Sequence, residues 1–273
     1  MTARQFLYKH IKAEMQEYFG VDEESFLSHV CDAWMNDESN SKHRYDAMIS
    51  FLGEDTLKHS SILDIASGCG TFVFYGLLNG YDVTGIEPEV WKHQFNSLKS
   101  KENGYPDSWI RKFHNAVGEQ LPFRDESFDI ISTYQTLEHV QSHRECFAEF
   151  KRVLKQGGVL FIQCPDYNSF FESHYRIPML PHMNRVLFKR YLALLGRPTK
   201  GLDAINYITR RMVIDYLGRD YDIYDVGINN VRRHVHRRMH INSTALARVY
   251  SLYSTVRKIG REESSVHIIG TKI

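Results

Sequence analysis

The sequence predicts an α/β protein built on a doubly wound parallel sheet. Three observations predict it. From residue 61 onward, short apolar runs alternate with helical segments. The first run breaks into small residues in "LDIASGCGTF", residues 63–72. The first two runs both carry an acid near their ends, Asp64 in one and Glu87 in "VTGIEPE" in the other. Strands that alternate with helices pair in parallel, because each helix returns the chain to the same edge of the sheet.

The elements follow in order. Residues 1–59 read as amphipathic helices, with Phe6, Ile11, Met15, Tyr18 and Phe19 at helical spacing and a loop at 36–43. "SILDIAS" is a buried strand. "TFVFYGLLNG" is a helix that Gly80 ends. "YDVTGIEP" is the second strand, and "EVWKHQFNSLKSKENG" the second helix. A third strand is expected around 110–116 and a fourth at 128–135. The helix "RECFAEFKRVLKQGG" follows, with Gly157 as its stop, and then a fifth strand at 159–165. After 165 the rhythm breaks into a Pro-, Tyr- and His-bearing stretch and further helices. Residues 221–227 and 265–273 read as strands six and seven, with a basic, helical-looking segment between them. The expected organisation is an N-terminal helical segment, 1–59, and one domain, 60–273.

Composition narrows the function classes. The chain has 273 residues, 42% hydrophobic and 25% charged, as a soluble protein does. A net charge of +1 gives no global attraction to nucleic acid or to an anionic membrane. No apolar run reaches the roughly 18 residues of a membrane span, and the N-terminus has no signal-peptide core. Four scattered cysteines without a CxxC pair suit a reducing cytoplasm and argue against structural zinc.

The small-residue turn selects its ligand by what it lacks. A dinucleotide fingerprint needs Gly or Ala where Val73 stands, and a phosphate loop needs a lysine that is absent. What remains is an acid, then small residues: Asp64, Ala66, Ser67, Gly68, Gly70. Glu87 stands 17 residues after Gly70, at the end of the second strand. With these residues the chain resembles the class I S-adenosylmethionine-dependent methyltransferases, over about 60–165 and the closing strand. The resemblance implies a seven-stranded Rossmann-like sheet and S-adenosylmethionine as cofactor, with S-adenosylhomocysteine as product. Asp64 suits the methionine ammonium. Glu87, beside Pro88, suits the ribose hydroxyls. Ala66 fits if its φ is negative.

"VGEQLPFRDESFDIISTYQTLEHV", residues 117–140, is similar to the ubiquinone/menaquinone branch of that family. The likeness places Val117, Gly118 and Glu119 against adenine and Gln135 near the transferred methyl. Arg44 is a further candidate, for the methionine carboxylate. Some quinone-pathway relatives bind a divalent ion through Glu-x-x-Glu-His. Here the match is Gln135-x-x-Glu138-His139, so the first acid is lost and no metal is expected.

The acceptor side is less specific. Residues 166–219 and 228–264 enlarge two connections that the minimal fold keeps short, and a lid built from both is expected. "ESHYRIP" and "GRPTKGLDAINY" resemble methyltransferases associated with bacterial surface polysaccharides. His139 and His174 are candidate general bases. Arg176 is a candidate anion fork, and Tyr175, Asp166 and His182 are polar neighbours. "NNVRRHVHRRMH", residues 229–240, carries four Arg and three His, which suits a small anionic acceptor. The reading is methyl transfer to a small polar acceptor, such as a sugar or a phosphate-bearing molecule. An RNA-modifying enzyme using Arg232, Arg233, Arg237 and Arg238, and a non-catalytic S-adenosylmethionine-binding subunit, stay open beside it.

Overall fold

The computed structural model describes residues 1–39, 41–181, 183–226 and 265–273. The elements begin with α1 (Ala3–Glu14), a π-helical turn (Met15–Phe19), α2 (Glu24–Met35), α3 (Lys42–Leu52) and α4 (Glu54–Lys58). The alternating part runs β1 (Ser61–Ile65), α5 (Thr71–Leu78), β2 (Asp82–Ile86), α6 (Val90–Glu102), α7 (Asp107–Ile110), β3 (Phe113–His114), β4 (Phe128–Tyr134), α8 (His143–Val153) and β5 (Leu154–Pro165). A two-stranded ribbon, β6 (Phe171–Glu172) and β7 (Ile177–Pro178), opens the insertion. Helices α9 (Arg185–Leu194), α10 (Lys200–Asp203) and α11 (Arg210–Leu217) follow, then β8 (Tyr221–Asp225) and β9 (Ser265–Lys272).

Seven strands form one sheet in the order β3-β2-β1-β4-β5-β9-β8. The first five are parallel, and β9 runs antiparallel to both β5 and β8. The chain moves outward from β1 in one direction, then restarts at β4 on the other side of it. The crevice between the ends of β1 and β4 is therefore the topological switch point, where open α/β sheets bind ligands. Alternate residues of the central strands serve opposite faces. Ile62 and Ile130 pack with Tyr45 of α3 and Phe72 of α5, while Leu63 and Ile131 pack with Phe147 and Phe150 of α8. Both faces are covered, which is why these strands read as continuous apolar runs. Among the described residues, no helix is long and apolar enough to cross a membrane.

Two expectations are corrected. The helix expected to run to Gly157 ends at Val153, and β5 begins at once with Leu154. Leu154 pairs with Phe128 and Val159 with Ile130, so residues 155–158 bulge out of the ladder, and Gly157, at φ 72°, belongs to that bulge. The third strand shrinks to two residues, because only Phe113 and His114 find partners on β2.

The N-terminal helices are anchored to the alternating part. Leu7, Ile11, Leu27 and Cys31 pack with Phe95 of α6 and with Cys69 of the turn after β1. Beside them Lys99 is fully buried and donates to the Trp34 carbonyl at 3.0 Å and to Asp37 at 2.5 Å. Tyr105 also donates to Asp37, at 2.8 Å. Burial lowers the Lys99 pKa and raises that of Asp37. The insertion reaches the same segment from the other side. Leu202 and Tyr175 join Phe19 and Val21 in one core, and a Cβ on Gly201 would lie 2.5 Å from Phe19 and from the Tyr18 carbonyl.

Removing one partner of the Lys99–Asp37 pair strands the other charge in the interior. Lys99→Met should cost roughly 3–5 kcal/mol, read by urea unfolding. A loss under about 1 kcal/mol would show that the pair does not anchor the segment.

Candidate functional site

The turn after β1 is strained and tightly fitted. Ala66, Gly68 and Gly70 all have positive φ, at 54°, 55° and 71°. The condition set for Ala66, a negative φ, is not met. The chain must fold back here so that the Ser67 amide can donate to the Ile86 carbonyl at 2.8 Å and the Gly70 amide to the Ser67 carbonyl at 2.9 Å. A left-handed alanine costs about 1–2 kcal/mol, which these bonds offset. The glycines have separate duties. A Cβ on Gly70 would lie 2.9 Å from Asn96, Phe113 and Phe74, and one on Gly85 would lie 2.7 Å from Ser67. Above Gly68 the space is open, since a Cβ would meet only the Ala66 carbonyl, at 4.0 Å. A ligand can lie against the backbone there.

Two carboxylates flank that opening. Glu87, 2% exposed, accepts from the Gly68 amide at 2.9 Å and the Glu89 amide at 3.0 Å, with Lys92 at 3.5 Å. Asp64, also buried, is bonded by the Arg44 guanidinium, which donates to the Ser132 hydroxyl at 2.6 Å as well. Burial raises the Asp64 pKa and Arg44 opposes that rise. The guanidinium stacks on Phe72 at 3.9 Å and lies 5.0 Å from Tyr134. Arg44, expected to meet a ligand carboxylate, therefore stands beside Asp64 at the switch point. Ser132 was missed, since a lone serine in "FDIISTYQ" gives no signal. The hydroxyl of Ser67 and the side-chain oxygen of Asn96 are buried with no hydrogen-bond partner among the described residues. An open backbone, two fixed carboxylates and unspent polar atoms fit a cationic, hydroxyl-rich cofactor.

The other expected contacts are more mixed. Val117 is 43% exposed. Gly118 is closely packed, because a Cβ there would lie 2.8 Å from the Cys146 sulfur. Glu119 accepts from the amides of Gln141 at 2.7 Å and Ser142 at 3.3 Å, so its carboxylate holds the entry to α8. Pro88 accepts from Asn115 at 3.1 Å through its carbonyl. Gln135 ends β4 in a left-handed conformation, φ 52°, with its amide bonded to the Gln163 carbonyl and its side chain exposed. Cys69 is buried, and burial pushes its thiol up, away from reactivity.

Beyond Gln135, Thr136 donates to the Ile65 carbonyl at 3.2 Å, which ties the next residues to the end of β1. Glu138, His139 and His174 then converge, with a ligand-capable atom of each within 4.8 Å of the others. The two imidazoles meet through Nε2, 3.2 Å apart. His139 turns Nδ1 to the Ala204 carbonyl at 3.3 Å, and His174 turns Nδ1 to Glu172 at 2.8 Å. Although His139 keeps part of its surface open to solvent, desolvation of its imidazole by the surrounding protein, reinforced by His174, lowers its pKa to about 4. Burial acts the same way on His174, but the hydrogen bond and charge of Glu172 outweigh it and its pKa is raised. Glu138 is pushed up to about 7 by burial. Sequence reasoning missed Glu172, which also accepts from the Tyr175 amide at 2.6 Å and the Tyr167 hydroxyl at 3.1 Å.

One acceptor-side candidate, Tyr175, changes role. Tyr175 is 1% exposed, its ring lies against Phe19 and Phe188, and its hydroxyl accepts from the Leu202 amide at 2.9 Å. It is a core residue of the insertion and is shut off from any acceptor. Arg176 is exposed at φ 57°, with its guanidinium 4.5 Å over Phe26 of α2. Asp166 caps the Asn168 amide at 2.9 Å. His182 and the basic segment 229–240, with Arg232, Arg233, Arg237 and Arg238, lie outside the described residues, as does the second half of the expected lid, 228–264.

Residues 63–162 match a family model described as a methyltransferase domain. A ubiquinone biosynthesis O-methyltransferase of Pseudomonas putida is 26% identical over 199 residues, 69% of this chain and 82% of its own length. A sarcosine/dimethylglycine N-methyltransferase of Aphanothece halophytica is 29% identical over 121 residues, 42% of this chain and 43% of its own. The chain spans about half the length of the first three curated relatives that it matches. Among solved structures, an S-adenosylmethionine-dependent methyltransferase from Mesorhizobium loti superimposes with a TM-score of 0.53 at 15% identity, covering 86% of this chain and 98% of that one. At that identity the likeness shows a common fold.

Ala66→Gly relieves a left-handed alanine at the entropic cost of a glycine. The variant should be as stable as the parent or up to about 1 kcal/mol more stable by thermal unfolding. Destabilisation beyond about 1 kcal/mol would mean that the alanine methyl has a packing role.

Proposed function

We propose that this chain, whose residues 63–162 match a methyltransferase domain, uses S-adenosylmethionine to methylate a hydroxyl oxygen of a small polar acceptor, of the sugar or sugar-phosphate class. The observation that carries this reading is the placement of two sets of groups on one sheet edge. Open backbone and fixed carboxylates at Gly68, Glu87 and Asp64 belong to β1, β2 and the turns that end them, and Thr136, two residues before the Glu138–His139–His174 cluster begins, donates to the Ile65 carbonyl at the end of β1. The bound cofactor supplies a methyl on a sulfonium, so that as the acceptor oxygen forms the C–O bond the S–C pair returns to a neutral sulfide.

The residues of this chain have two tasks. The first is to hold the donor: Glu87 suits the ribose hydroxyls, and Asp64 with Arg44 suits the methionine ammonium and carboxylate. Alignment of two reactants is itself worth several kcal/mol of barrier. The second task is to free the acceptor oxygen of its proton, and the convergence of Glu138, His139 and His174 supports assigning it to that cluster. His139 is the exposed member, so an acceptor meets it first. Arg176, stacked on Phe26 and exposed, offers a fork to an anionic group two residues from His174. The oxygen acceptor is also in keeping with the O-methyltransferase relative. The surface-polysaccharide resemblance of "ESHYRIP" supports a sugar.

Glu87→Ala should weaken S-adenosylmethionine binding about 10- to 100-fold by calorimetric titration. An unchanged affinity would sink the ribose role. Release of S-adenosylhomocysteine, screened against hydroxyl-bearing sugars and sugar phosphates, identifies the acceptor class. With the acceptor found, His139→Ala should lower kcat by about 10²- to 10⁴-fold. Full turnover at saturating acceptor would remove the cluster from the reaction.

A further inference from the structure

The cluster has the form of a metal site. We propose that Glu138, His139 and His174 bind a divalent transition metal, zinc foremost, as a two-histidine, one-carboxylate site. The proposal rests on the reading that this cluster meets the acceptor, and it names the agent that acts there.

Four observations carry it. The imidazoles face each other through Nε2 at 3.2 Å. Two ligands of one zinc ion, each about 2.0–2.1 Å from it, stand roughly 3.3 Å apart in a tetrahedron. Each ring also spends its other nitrogen as a metal-ligating histidine does, His139 on a backbone carbonyl and His174 on the Glu172 carboxylate. Glu172 is held in turn by the Tyr175 amide and the Tyr167 hydroxyl, so the orientation of His174 is fixed from behind.

The fourth observation is the carboxylate. Glu138 is 0% exposed, yet neither of its oxygens accepts a hydrogen bond from another described residue. A buried carboxylate without partners is costly, and a cation is the group that removes the cost. A carboxylate oxygen lies within 4.8 Å of a ring nitrogen of each imidazole, so the three groups face one small volume.

The donor set also selects among ions. Magnesium prefers an oxygen shell, whereas two imidazoles and one carboxylate suit zinc and its first-row neighbours. This set is not the Glu-x-x-Glu-His pattern, because Gln135 replaces the first acid and His174 comes from the insertion, 35 residues further on. Three protein ligands leave a coordination position open, and His139 is the exposed member of the three. An acceptor hydroxyl bound there would have its pKa lowered by the ion and would release its proton to water.

The test uses the full chain, stripped with a chelator and titrated with Zn²⁺ by calorimetry and with Co²⁺ by absorption spectroscopy. One equivalent of Zn²⁺ should bind, Mg²⁺ at least about 100-fold more weakly, and Co²⁺ should give the visible bands of a low-coordinate nitrogen–oxygen site. His174→Ala and Glu138→Gln should each abolish stoichiometric binding, and Glu172→Gln should weaken it about 10- to 100-fold. S-adenosylmethionine binding and circular dichroism check that the variants are folded. Absence of stoichiometric Zn²⁺ binding by the parent chain, or binding that survives both ligand substitutions, overturns the proposal. Methyl transfer by a chain that fails this titration would leave the proposed function standing, and metal binding without methyl transfer would do the reverse.

Discussion

One hydrogen bond organises the cofactor end of the molecule: the amide of Gly68 donated to the carboxylate of Glu87. It joins the turn after β1 to the end of β2, two segments that only sheet pairing has brought together. The bond fixes a carboxylate that would otherwise swing into solvent, and it fixes the turn whose open backbone faces the ligand. Everything around it is arranged to make that approach feasible. Gly85 has no side chain because Ser67 lies on it, and Gly70 has none because Asn96 and two phenylalanine rings close in. Ala66 is bent into the left-handed region for the same purpose.

The Glu138–His139–His174 cluster, the end proposed for the acceptor, is built differently, from pieces that sheet pairing does not bring together. Glu138 and His139 come from the segment after β4, His174 and Glu172 from the ribbon of the insertion, and the Ala204 carbonyl from the residue after α10. What holds them is the core that the insertion shares with the N-terminal turn, through Tyr175, Leu202, Phe19 and Val21. The N-terminal segment therefore bears on both ends. Its helices pack on Cys69 beside the cofactor turn, and its π-helical turn packs on the insertion.

How much of this could be read from the chain follows from that division. The strands, the turn, Asp64 and Glu87 are local features, and period and spacing express them directly. Arg44 was within reach because it lies in α3, shortly before β1, but its bond to Ser132 spans 88 residues and leaves no pattern. Ala66 misled because alanine is at home at negative φ, and only the hydrogen bonds of the turn overrule that preference. Gly157 misled because a glycine after a basic helix looks like a stop, while the pairing of Leu154 had already ended it. Tyr175 looked like a polar residue facing the acceptor, but its hydroxyl accepts from the Leu202 amide inside the insertion. The meeting of His139 with His174 was invisible, since each was a lone histidine in its own segment.

The sheet order carries a consequence for assembly. β8 touches the sheet only through β9, yet it precedes β9 by 40 residues, from Asp225 to Ser265. β5, the strand that β9 must pair with, is an open apolar edge until then, and such edges recruit other chains. The parallel half of the sheet, with its cofactor turn, has every strand it needs by Pro165. The antiparallel half is a long-range closure that forms late and slowly. Newly made or partly unfolded chains would thus have a formed cofactor turn and an unprotected flank at β5, and it is on this flank that aggregation would begin.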